Sequence, residues 1–90
     1  MKHKIEIAEQ TQPVYRVTVT QGATKTTHDV TLTPAELAKY APNAAPEALL
    51  RASFEFLLER EPKESILRRF ALSDIEKYFP GFTSIIRARL

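Results

Sequence analysis

His3 and His28 are the only side chains in this sequence whose ordinary pKa lies near neutrality, so proton transfer and metal binding would have to begin with them. A zinc site needs several such ligands converging, and no cysteine is present to supplement the two histidines. They fall on separate alternating stretches. The only set that can be written, both histidines with Glu6 or Asp29, has no helical pairing behind it. The simpler expectation is a surface position for His3 and, for His28, a partly buried place on a sheet face with a hydrogen-bond partner. His28 and Asp29 are adjacent, and in a strand adjacent side chains point to opposite faces, so they cannot serve as base and orienting acid of a triad. Ser53, Ser65, Ser73 and Ser84 lie in stretches of helical spacing, and Ser73 reads as a helix cap. Glu47, Glu55 and Glu59 recur on one helix face and read as solvated surface rather than a paired acid and base. Gly22 and Gly81 are the only glycines, so neither a phosphate-cradling loop nor a dinucleotide fingerprint can be composed. The sequence thus predicts no enzyme, with no catalytic, cofactor-binding or metal-ligating residue, no cofactor and no small-molecule ligand.

The charges are unevenly spread. Thirteen Lys and Arg against eleven Asp and Glu give a net +2, but 68–90 holds five basic groups against Asp74 and Glu76. Arg68, Arg69, Arg87 and Arg89 are therefore the candidate contacts for an anionic partner. A helix-turn-helix can be sketched over 66–79, with its second helix as the reading element. That helix would present Asp74 and Glu76 to phosphate, Pro80 would cut it short, and Ala71 stands where such turns use glycine. Nor does any strand carry the paired aromatics of an RNA-stacking platform. Nucleic-acid binding is accordingly the alternative reading.

The elements that must position these groups change character near Thr33. Before it, Tyr15, Val17 and Val19 alternate with polar residues, as do His28, Val30 and Leu32, giving the period of two that marks half-buried strands. Gln21-Gly22-Ala23-Thr24 can close a two-residue turn, with Gly22 taking a positive φ. Pairing about that turn sets Val19 against Thr26, Val17 against His28 and Tyr15 against Val30, with all apolar side chains on one face. A strand over 4–8, with Ile5 and Ile7 inward, completes a small antiparallel sheet.

After Thr33 the spacing is helical. Thr33-Pro34-Ala35-Glu36 is a capping box with proline in the first turn, opening a short helix that ends before Pro42. The main helix spans 46–60, apolar except for a stripe of Glu47, Arg51, Glu55 and Glu59, and must be covered on more than one side. A third helix is expected from Glu61-Pro62 through Ile66, Leu67 and Phe70. Ser73-Asp74-Ile75-Glu76 reads as a second capping box, whose helix stops at Pro80-Gly81. A last helix over 82–90 sets Phe82, Ile85 and Ile86 on one face. The predicted fold is α+β in one domain, 1–90, with a β part over 1–33 and a helical part over 34–90. An antiparallel hairpin and an N-terminal strand pack against four or five short-to-medium helices.

The run ASFEFLLEREPKESILRRF at 52–70, then Leu72-Ser73-Asp74-Ile75 and Tyr78-Phe79-Pro80, with the earlier His28-Asp29-Val30-Thr31, resembles a family of small uncharacterised bacterial proteins. The likeness covers about two thirds of the chain and implies a stand-alone bacterial protein. It carries no activity, ligand or catalytic residue with it.

No apolar run approaches the ~20 residues of a membrane span, and the charged, alternating N-terminus lacks the apolar centre of a signal peptide. The absence of cysteine suits a reducing compartment. The expectation is a cytoplasmic, non-catalytic protein-interaction module whose partner is a protein, including a second copy of itself. Leu50, Phe54, Leu57 and Leu58 would form its interface if the flanking helices left that face of the main helix open.

Overall fold

The alternation of Tyr15, Val17 and Val19 with Arg16, Thr18 and Thr20 produces an interior strand of a four-stranded sheet. A computed structural model describes residues 3–90; Met1 and Lys2, where the N-terminal alternation starts, lie outside them. The strands β1 (Lys4–Glu9), β2 (Val14–Gln21), β3 (Thr24–Thr31) and β4 (Arg69–Ala71) lie in the order β1-β2-β3-β4. The first three are antiparallel neighbours, and the hairpin has the expected register: Val19 faces Thr26, Val17 faces His28 and Tyr15 faces Val30. Gly22 closes the turn at φ +60°, the left-handed value that costs glycine least. Ile5, Tyr15, Val17, Val19, His28 and Val30 are buried on one face, and Ile7 is half-buried. On the other face Arg16 and Asp29, directly opposite each other, form an ion pair at 2.9 Å.

Four helices follow the hairpin: α1 (Pro34–Tyr40), α2 (Pro46–Leu58), α3 (Asp74–Tyr78) and α4 (Phe82–Arg89). The Thr33 capping box forms in full, the hydroxyl accepting from the Glu36 amide and the Glu36 carboxylate accepting from the Thr33 amide. In α2 the predicted polar stripe is exposed, while Leu49, Leu50, Ala52, Ser53, Phe54, Phe56 and Leu57 are buried. Two residues apart at 100° per residue, Phe54 and Phe56 leave the helix in nearly opposite directions. The Phe54 ring meets His28 of β3 at 5.4 Å and Phe70 of β4 at 6.1 Å. The Phe56 ring meets Phe79 at 5.7 Å and Phe82 of α4 at 5.2 Å, and Phe82 in turn meets Tyr40 of α1 at 5.6 Å. One face of α2 thus belongs to the sheet and the other to the helices, each buried Leu or Phe contributing roughly 1.5–3 kcal/mol.

The third predicted helix does not form. After α2 the chain makes a single 3₁₀ turn, Lys63–Ser65, extends through Ile66 and Leu67, and enters the sheet as β4, parallel to β3. The sheet is therefore mixed rather than wholly antiparallel, and the helical part returns a strand to the β part. The reason lies on β3, whose outer edge would otherwise leave amides and carbonyls unpaired. The Asp29 amide donates to the Arg68 carbonyl at 2.7 Å and the Leu72 amide to the Thr31 carbonyl at 2.9 Å. Those tertiary bonds outweigh the helical spacing of Ile66 and Phe70. The first helix of the sketched helix-turn-helix is lost with them.

Ser73 is also corrected. It precedes α3 but makes no side-chain cap. Its amide instead donates to Glu36 of α1 at 3.1 Å, and the Asp74 carboxylate accepts from the Ala71 amide at 3.1 Å. Glu36 so ties the start of α1 to the start of α3. Burial opposes its ionisation, but the hydrogen bonds from Thr33 and Ser73 outweigh that and hold its carboxyl below the usual range.

Phe56, 1% exposed, links α2 to α4 and the α3–α4 connection. Phe56→Ala should cost roughly 3–5 kcal/mol of the about 5–13 kcal/mol expected for a domain of this size. A urea-unfolding series checks this; a midpoint near that of the wild type would place Phe56 outside the core.

Candidate protein-docking groove

From the end of α2 the chain must cross back to the edge of β3, and three contacts fix that crossing. The Lys63 side chain, 2% exposed, runs under the segment and donates to the Thr24 hydroxyl at 2.7 Å and to Glu64 at 2.5 Å. Ile66 is buried. His28 Nδ1 donates to the Leu67 carbonyl at 2.9 Å. A carbonyl only accepts, so the neutral ring carries its proton on Nδ1, and Nε2 accepts from the Thr26 hydroxyl at 2.7 Å.

Between this crossing and α3 lies a groove of about 410 Å³. Ile66, Leu67 and Phe70 line it from the crossing and β4, Ile75, Tyr78 and Phe79 from α3 and its end, and Leu57 from α2, with Glu61, Ser65 and Asp74 as its polar members. Ile66 and Ile75 are buried, but Leu67 is 50% and Tyr78 66% exposed. They and Leu90 are the large apolar side chains left exposed among the described residues.

The two carboxylates of the groove differ. Asp74 is held below the usual carboxylate range by Lys77, at 3.1 Å, and by the Ala71 amide. Glu61 is half-buried, and among the described residues its carboxylate has no ion-pair or hydrogen-bond partner. Burial alone acts on it and raises its pKa.

The structure separates the four candidate arginines into two pairs. Arg87 donates to the Lys39 carbonyl at the end of α1, at 2.5 Å. Arg89 makes a two-point pair with Glu59, at 2.9 and 2.7 Å. Arg68 and Arg69 are exposed beside the β3–β4 pairing and enter no salt bridge among the described residues. The predicted interface set fares differently. Leu50 and Phe54 are wholly buried and Leu57 is 3% exposed, all within the chain, and Leu58 is half-buried. The sheet and the flanking helices close over that face of α2, so it presents no apolar patch; Leu57 alone reaches the groove. Glu61, Leu67 and Tyr78 were not singled out by the sequence. The one trace they leave is Leu67 beside two arginines, an apolar side chain just ahead of a short strand.

His28 and Asp29 point to opposite faces as expected, and no group of three His, Asp or Glu among the described residues is placed to hold a metal ion. No helix among them is long and apolar enough to cross a membrane. The chain matches no protein-family profile, no curated protein and no solved structure.

Burial holds the His28 pKa below its ordinary 6.5, with Arg68 adding to the effect while the Leu67 bond and Asp29 oppose it. The unfolded chain then takes up a proton at a higher pH than the folded one. Stability is complete above about 6.5 and declines as pH falls from there toward the lower folded pKa. Melting temperatures between pH 7.5 and about 5 should fall for the wild type and stay flatter for His28→Gln; equal slopes would show that His28 protonates freely in the fold.

Proposed function

We propose that this chain is a non-catalytic protein-interaction module that receives a segment of a partner protein in the groove between the crossing and α3. The observation that carries this reading is the position of Leu67 and Tyr78. Single exposed apolar residues are ordinary on any surface. Here two large ones meet at one concave site, backed by buried Ile66 and Ile75, the arrangement in which aromatic anchors contribute most to binding. Lys63 and His28 fix the crossing that carries Leu67, and Glu36 ties down the start of the helix that carries Tyr78, so little ordering would remain to be done on association. A bacterial cytoplasm is the proposed setting, in keeping with the cysteine-free composition.

Nucleic acid is the weaker reading. Arg87 and Arg89 are occupied within the chain, which leaves Arg68 and Arg69 as a pair too small for a phosphate-tracking surface. Gel shifts at near-physiological salt should show no sequence-dependent complex. A submicromolar complex abolished by Arg68→Ala with Arg69→Ala would reverse the order of the two readings.

A photoreactive phenylalanine analogue at position 67 or 78 should give discrete adducts with a partner protein in cells. The same analogue at Thr27, exposed on the outer face of the sheet, should give none. Unlabelled wild type should compete for the adducts and Tyr78→Asp should not, although the variant should melt within a few degrees of wild type because Tyr78 is 66% exposed. Adducts at Thr27 as strong as those at 67 and 78 would sink the proposal.

A further inference from the structure

We infer that the segment received by this groove is amphipathic and cationic, its apolar side chains resting on Leu67 and Tyr78 while a Lys or Arg side chain pairs with Glu61. The inference rests on the docking reading above and adds the chemistry of the occupant.

Glu61 is the reason. Each neighbouring acid has its partner within the chain: Glu59 has Arg89 and Arg60, Glu64 has Lys63, and Asp74 has Lys77 and the Ala71 amide. Glu61 has none among the described residues, and it lines a groove whose other surfaces are mostly apolar. A half-buried carboxylate without a partner is destabilised relative to one in water, and a cation brought to it removes that penalty.

None of the chain's own nearby cations pairs with Glu61 among the described residues, and three of them have partners of their own. The Arg60 guanidinium lies 3.7 Å from the centre of the Phe56 ring and donates to the Phe56 carbonyl at 3.0 Å. The Lys63 ammonium is held by Thr24 and Glu64, and Lys77 by Asp74. Arg68 and Arg69 enter no salt bridge among the described residues, with Glu61 or any other acid, so a basic side chain on a bound segment would give this carboxylate its first ion pair.

A second copy docking groove to groove matches that carboxylate less well, because a two-fold contact sets the same patch, carrying Glu61 and Asp74, against itself. A segment bearing both aliphatic side chains and a basic one satisfies the apolar lining and the free carboxylate together, and its charge also selects against acidic competitors.

The probes are three short amidated peptides with one leucine pattern, in which the polar positions are all lysine, all glutamine or all glutamate. Each is titrated into the ¹⁵N-labelled full chain at low salt. The lysine peptide should move the amides of Leu67, Phe70, Ile75 and Tyr78 and bind about five- to tenfold more tightly than the glutamine peptide, with the glutamate peptide weakest. Glu61→Gln, close to isosteric, should bring the lysine and glutamine peptides to parity while the groove amides still respond. If wild type binds those two equally in the groove, or if Glu61→Gln keeps the preference for lysine, the inference about charge is wrong and the docking reading survives. If no peptide moves the groove amides, or the shifts fall on other surfaces, both are wrong.

Discussion

A thirteen-residue helix that is apolar on all but one stripe cannot be buried by a single sheet, and the rest of this structure follows from covering α2 twice. Three strands supply one cover, with Phe54 reaching His28 across the interface. The second cover must come from sequence on either side of the helix. Tyr40 at the end of α1 and Phe82 of α4 supply it, joined through the Phe56 ring. Arg89 pairing with Glu59, and Arg87 with the Lys39 carbonyl of α1, then fasten α4 across the ends of both helices. What looked like a basic end available to an anionic partner is in large part the clasp of this second layer.

The groove is a by-product of the same constraint. Once α2 is sandwiched, the chain turns back at Lys63 along the edge of β3 and pairs there as β4. The return path is short and extended, and α3 is only five residues long, so the two cannot close completely over Leu57 and Phe70. Polar groups with no apolar role do the fixing: Lys63 under the turn, His28 behind Leu67, and Glu36 bridging α1 to α3. A rigid wall with two exposed apolar side chains results, and its one unmatched carboxylate distinguishes it from an ordinary packing defect.

Much of this was legible in the residues. The hairpin register could be read because both strands keep one phase over many positions and Gly22 marks the turn between them. The Thr33 cap could be read because all of its partners lie within one helical turn. β4 could not, since three residues cannot display a period of two, and the four-residue spacing of Ile66 and Phe70 imitates a helix. Ser73 looked like a cap because nothing local reveals that Glu36, thirty-seven positions away, takes its amide. The site was hidden for a related reason. Glu61 is distinguished by the partners it lacks, and those are known only once every nearby Lys and Arg has been placed.

His28 and Leu67 are thirty-nine positions apart, yet one hydrogen bond between them holds the groove wall to the sheet. Closing a loop of that length costs about 3 kcal/mol in chain entropy beyond a fixed term, before any contact rewards it. The hairpin has no such debt, because its pairs are local. The local pairs of the hairpin are therefore expected to form early, and the crossing with β4 late. On unfolding, the crossing and β4, whose contacts are the least local, are expected to separate before the hairpin. A segment bound in the groove would be felt as slower amide exchange along β3 and β4 while β1 and β2 stayed as they were.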